Sequence, residues 1–153
     1  PASAHDGIVV VVVRHAEKAD DSRDPPLARA GEARAEALAA TLAGTRLDLA
    51  IATQFRRTRQ TAEPAARAAG IPVTLRPIDA ANAAGYADAL AAELRALPPG
   101  STALVVGHSN TVPGIVDALS GQAATPMPET EYDRYTVVLL DADGAARVIT
   151  SRY

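Results

Sequence analysis

Three short stretches of the 153-residue chain carry side chains suited to chemistry: Arg14-His15-Ala16-Glu17-Lys18, Thr53-Gln54-Phe55-Arg56-Arg57-Thr58-Arg59-Gln60-Thr61-Ala62 and Gly107-His108-Ser109-Asn110. Together they hold two of the three histidines and four arginines. The planar fork of an arginine bonds two oxygens of one anion at once, so such a set suits a phosphoryl group better than a carboxylate. A histidine among these cations is disfavoured as imidazolium, and neutral imidazole has a lone pair able to attack phosphorus. His15 is therefore a candidate nucleophile, and His108 a candidate donor to the phosphoryl oxygens as their charge develops.

Each stretch follows an apolar run, and this sets the architecture that must position it. Ile8–Val13, Leu49–Thr53, Val73–Arg76, Ala103–Gly107, Thr136–Leu140 and Arg147–Arg152 read as strands. Between them, about Ala30–Ala43, Thr58–Ala69, Tyr86–Leu97 and Asn110–Leu119 read as helices, with Ala35, Leu38, Ala39 and Leu42 at helical spacing. Alternation of this kind predicts an α/β fold, a three-layer α/β/α sandwich around a mostly parallel sheet with an antiparallel edge strand. In such sheets ligands bind beyond the carboxyl ends of the strands, where all three stretches lie. The helix opening near Asn110 is expected to aim its free N–H groups at the same edge. Pro64 predicts a kink or a late start for the second helix, Gly70 its stop, and Asp141–Gly144 a hairpin turn. Gly121–Glu131 has no periodicity and reads as the longest mobile loop.

At these residues the sequence resembles the histidine phosphatase superfamily, the phosphoglycerate mutase-like proteins. Arg14-His15-Ala16 matches its Arg-His-Gly/Ala motif. Leu27 to Ala35 resembles the stretch that opens its first helix, Thr53 to Ala62 resembles its Ser-x-x-x-Arg-Ala-x-Gln-Thr-Ala segment, and Gly107-His108-Ser109-Asn110 its second-histidine motif. The resemblance spans about residues 8–120. It implies the same three-layer fold, His15 as the phosphorylated nucleophile, Arg14, Arg57 and His108 as the rest of the phosphate pocket, and no cofactor or metal. Ser109 is a further phosphate ligand by position or, with Asn110, a helix cap. The family's acidic proton donor has no clear counterpart: Asp79 stands in the right stretch and Glu17 is close to His15, though Glu17 also suits an ion pair. The implied activity is that of a histidine-type acid phosphatase or phosphohydrolase, similar to compact phosphohistidine phosphatases and small broad-specificity phosphatases. Its partner would be a small phosphorylated substrate or a phosphohistidine protein. A phosphate-recognising binding protein and a small phosphomutase are the alternatives, the second disfavoured by a chain too short for an enclosing lid. Tyr86, Tyr132, Asp133 and Tyr135 are candidates for the leaving-group side.

Composition narrows the field further. No cysteine is present, which excludes disulfides, thiol nucleophiles and thiolate metal sites. The net charge of −3 lacks the basic footprint of a nucleic-acid binder, and the longest apolar run is far short of the roughly 20 residues a membrane span needs. Nearby arginines oppose a metal at the histidines. No Gly-rich phosphate loop follows the first strand, against a nucleotide-binding module. Residues 1–153 are read as one domain and 1–7 as a loose leader. The chain begins with proline, so both a cytoplasmic and an exported protein remain open.

Overall fold

A computed structural model describes residues 7–153. Six strands, β1 (Ile8–Arg14), β2 (Leu49–Ala52), β3 (Val73–Leu75), β4 (Thr102–Gly107), β5 (Arg134–Leu140) and β6 (Ala146–Arg152), form one sheet in the order β3-β2-β4-β1-β5-β6. The β1–β4, β2–β4 and β2–β3 pairs are parallel, whereas β5 runs antiparallel to both β1 and β6. The antiparallel pairing at the edge is thus as expected, with β5 the strand that reverses. The helices are α1 (Arg29–Leu42), α2 (Arg56–Ala69), α3 (Tyr86–Arg95) and α4 (Val112–Ser120), with a 3-10 turn at Ala83–Gly85 ahead of α3.

The valine run of β1 shows why there are three layers. Alternate side chains leave opposite faces of a strand. Val10 and Val12 pack with Leu90, Leu94, Ile115 and Leu119 of α3 and α4. Val11 and Val13 pack with Leu38, Leu42, Ala62 and Ala66 of α1 and α2. Both faces are covered, so β1 has no polar position until Arg14. Among the described residues no helix is long and apolar enough to cross a membrane.

The late start expected of α2 is corrected. The helix starts at Arg56, before Thr58, and it continues through Pro64. Ala62, Ala65 and Ala66 lie buried on either side of that proline, so packing outweighs the lost backbone bond. Gly70 ends the helix in the left-handed conformation, φ 74°, its N–H reaching Ala66 and Arg67 carbonyls. The Asp141–Gly144 turn closes with Gly144 N–H on the Asp141 carbonyl, 3.0 Å. Of the expected leader, residues 1–6 lie outside the described residues, while the Gly7 carbonyl accepts the Gly100 N–H at 2.8 Å.

One glycine determines how closely α1 approaches the segment after β1. A methyl group on Gly31 would come within 2.3 Å of the Glu17 carbonyl oxygen and 3.0 Å of its nitrogen, both backbone atoms. Gly31→Ala should therefore destabilise by about 1–3 kcal/mol through overpacking, despite alanine's better helix propensity, and lower Tm by several degrees. Gly85→Ala, which meets nothing within 4 Å, is the control. Equal Tm values for the two variants in thermal unfolding would contradict this packing.

Candidate active site

Strand register brings the distant motifs together. Arg14, the last residue of β1, pairs with Gly107, the last of β4, so His15 and His108 emerge side by side. Ala52 pairs with Val106, which places Thr53 at the other flank of β4. The two imidazole centroids are 5.4 Å apart, in an edge-to-face arrangement. The His15 N–H donates to the Gly107 carbonyl at 2.8 Å and locks the strand ends together.

The tautomer of His15 follows from its partner. Nδ1 lies 2.8 Å from the Ala16 carbonyl oxygen, which can only accept, so Nδ1 carries a proton. In the neutral ring, Nε2 then carries the lone pair. Burial is the main cause that lowers the His15 pKa to about 3, with the charges of Arg14, His108 and Arg57 adding to it and the Ala16 bond opposing. His108 is lowered to about 4 by burial and then by Arg57 and Arg14. Both rings are neutral near pH 7.

Two guanidiniums complete the group. Arg14 is 2% exposed. Its Nη1 donates to the Glu129 and Glu131 carbonyls at 2.7 and 2.9 Å, and its Cζ lies 4.0 Å from the Tyr132 ring centre. Arg57 lies over Phe55, 4.5 Å from the ring centre, with Nη1 3.4 Å from the Arg23 carbonyl. Burial, partly offset by Asp24 and deepened by Arg14, lowers the Arg57 pKa. In both arginines Nε is buried without a hydrogen-bond partner. Buried donors without partners are costly, and here they belong to two cations beside two neutral imidazoles. An oxyanion with several oxygens would satisfy them.

The framework holding these groups is itself legible in the motif. Thr61 Oγ1 accepts the Ala16 N–H at 2.9 Å and donates to the Arg57 carbonyl at 2.7 Å. Gln60 Oε1 accepts the Leu27 N–H at 2.8 Å. The Gln-Thr pair thus pins the segment after His15 onto α2.

Other candidates fall elsewhere. Glu17 is held by Arg34 Nε and Nη2 at 2.9 Å each, which keeps its carboxyl below the usual range, so it is an ion-pair partner and no proton donor. Asp79 is exposed, its Oδ1 accepting the Ala81 and Asn82 amides. No contact joins it to the histidines. The opening of α4 departs from expectation: its cap is Thr111, the Thr111 and Val112 N–H groups both go to the His108 carbonyl, and Pro113 has none. These two N–H groups lock the backbone of His108 and are not free for an anion. Ser109 does not cap it either; its hydroxyl donates to Glu129 Oε1 at 2.7 Å. Of the leaving-group candidates, Tyr132 stands 6.2 Å from the His15 ring. Tyr86 donates to the Arg76 carbonyl and Tyr135 packs on Tyr153.

Glu129 was not visible as a site residue in the sequence. Its carboxylate is held by Ser109 and lies 3.5 Å from Arg14 Nη2, and both partners lower its pKa, Ser109 first. It occupies donors that an incoming anion would use. Glu129→Gln should therefore tighten binding of inorganic phosphate about two- to fivefold, the scale of an exposed ion pair, with the gain shrinking at high salt. Unchanged or weaker binding in calorimetry would refute the competition.

Comparison with known proteins agrees with this geometry. Residues 10–78, which include Arg14, His15 and Arg57 but not His108, match the model of the histidine phosphatase superfamily (branch 1). A search of the curated proteins finds no match. Among solved structures, the protein histidine phosphatase SixA complexed with tungstate is 23% identical, with a TM-score of 0.67 over 94% of this chain and 96% of that one. A structure described as phosphohistidine phosphatase SixA from Nakamurella multipartitia is 27% identical, with a TM-score of 0.66 over 99% and 98%. Mycobacterial glucosyl-3-phosphoglycerate phosphatase is 16% identical, with a TM-score of 0.71 over 94% and 98%. The chain is thus similar to the histidine phosphatase superfamily, by the family model over residues 10–78 and by fold over nearly its whole length.

Proposed function

We propose that this chain is a phosphatase that hydrolyses a phosphomonoester or a phosphoramidate through a phosphohistidine on His15. The observation that carries the reading is the bond from His15 Nδ1 to the Ala16 carbonyl, which reserves the Nε2 lone pair for phosphorus, while burial keeps the ring unprotonated. In the first step Nε2 attacks and the bond from phosphorus to the leaving oxygen or nitrogen breaks. In the second, water attacks phosphorus, the N–P bond breaks and inorganic phosphate leaves. Arg14, Arg57 and His108 hold the transferring group and stabilise its charge, and Ser109 joins them when its hydroxyl leaves Glu129.

Two features favour hydrolysis over transfer between two sites of one substrate. The segment 121–133, without helix or strand, is tied down: Arg134 donates to the Thr125 and Pro126 carbonyls, and Arg14 to those of Glu129 and Glu131. Among the described residues no long insertion encloses a second phosphate. Likeness over nearly the full length to the structure described as SixA supports a phosphohistidine protein as one substrate class, with small phosphoesters as the other.

Rapid mixing with a radiolabelled aryl phosphate or a phosphohistidine peptide, followed by quenching, is the test. Label retained in alkali and lost in acid is expected. Phosphate binding without turnover or labelling would overturn the reading in favour of a phosphate-recognising protein.

A further inference from the structure

The side of His108 away from His15 is occupied by a short chain of hydroxyls that the proposed reaction does not use. Thr58 Oγ1 lies 2.9 Å from the Phe55 carbonyl and 3.2 Å from that of Thr53. A hydroxyl has one proton, and these partners only accept, so the proton of Thr58 is committed to them. Thr53 Oγ1 is 2.8 Å from Thr58 Oγ1, and with the Thr58 proton directed at those carbonyls Thr53 is the donor of that pair. Having given its own proton away, Thr53 can only accept from His108 Nε2, 2.9 Å away. Both threonines are buried, at 1% and 0% exposure, so no water competes for the arrangement.

We propose that Thr53 is a positioning residue whose hydroxyl, oriented by Thr58 and the Phe55 carbonyl, holds the His108 proton on Nε2, so that phosphate binds together with one proton taken up at His108 Nδ1. The inference rests on the phosphate pocket described above. Nε2–H is spoken for, which leaves Nδ1 as the only ring nitrogen to meet an anion, and in the neutral ring it presents a lone pair. Exchange of the two nitrogens by a ring flip is opposed by rings on both sides: Phe55 at 5.4 Å and 86°, and His15 at 5.4 Å and 64°. The charged and titratable groups facing His108 are His15 and Arg14 from the end of β1 and Arg57 from α2, while the nearest loop carboxylate, Glu129, is spent on Ser109 and Arg14. Empty, this set disfavours a proton on His108. An anion reverses the sign of the local potential and favours one.

Calorimetric titration of inorganic phosphate into the full chain at alkaline pH, in buffers of different ionisation enthalpy, measures the uptake. About one proton per phosphate is expected in the wild type and in Thr53→Ser. Less than about half a proton is expected in Thr53→Val, where the freed ring adopts the tautomer that donates from Nδ1. Nitrogen-15 spectra of the phosphate-free protein, assigned by comparison with His15→Asn, should show His108 protonated on Nε2 and bare at Nδ1. Phosphate binding with no proton uptake in the wild type, uptake unchanged in Thr53→Val, or a bare Nε2 in the spectrum would each overturn the proposal while leaving the phosphatase reading intact. Should Thr53→Val fail to fold, the wild-type spectrum and the Thr53→Ser titration decide. No phosphate binding at all would instead remove the pocket on which both rest.

Discussion

Replacing His15 with asparagine is expected to reduce turnover of any phosphoester by at least about ten-thousand-fold, the scale on which loss of a nucleophile acts. Asparagine keeps an N–H near the Ala16 carbonyl, so the local backbone is retained while the attacking lone pair is gone. The acid-labile phosphoenzyme should vanish with the activity. The fold should survive, and in acid it should gain. Neutral His15 and His108 have pKa values near 3 and 4 when folded, against about 6.5 unfolded. The unfolded chain thus binds more protons, and stability is fully present above about pH 6.5 and is lost as pH falls from there through 4 and 3. His15→Asn removes one of the two groups, so denaturant midpoints measured between pH 7 and 4 should fall less steeply than in the wild type. Near wild-type hydrolysis by the variant would end the nucleophile assignment, and an unaltered pH slope would end the account of its burial.

Arg14→Lys should cost on the order of a hundred- to a thousand-fold in kcat, comparable to the loss of a preorganised donor to developing charge. Lysine retains the charge but not the fork. In the wild type Nη1 holds two carbonyls of the 129–131 segment, Tyr132 covers the guanidinium, and Nε remains free for the anion. One ammonium cannot do all three. The variant should therefore lose affinity for phosphate and also loosen residues 129–132, visible as faster amide exchange confined to that segment. A kcat within tenfold of the wild type, or unaltered exchange there, would mean that Arg14 does not join the two functions.

How far the sequence reads correctly depends on how local each signal is. Ile8–Val13 declares a strand covered on both faces because nothing in it is polar, and that alone places Arg14 and His15 at a strand end. Gly107 does the same for His108. Meeting of the two is a matter of strand order, supplied by the motif resemblance and confirmed by the β1–β4 register. Pro64 does not delay the start of α2, because its local penalty is smaller than the burial of the alanines around it. The anion cradle expected at α4 fails on Pro113 and on the Thr111 cap, details of hydrogen bonding that helix position alone does not convey. Glu129 escapes, and Tyr132 is legible as a leaving-group candidate but not as the ring over Arg14, because both come from an aperiodic segment placed by long-range bonds to Arg14 rather than by any pattern of its own.

The uniform core of β1 has one further effect. Val9 to Val13 are five copies of the same side chain, so nothing within that stretch tells the neighbouring strand which valine belongs opposite which. Alignment is written at the two extremities, where the Val9 N–H finds the Ser101 carbonyl and the His15 N–H finds that of Gly107. Deleting a single valine would shorten the ruler between these marks, and one pair or the other would have to be given up. The backbone N–H of the proposed nucleophile thus also serves as an index mark for assembly, and a chain that threads this strand out of step cannot build the proposed centre.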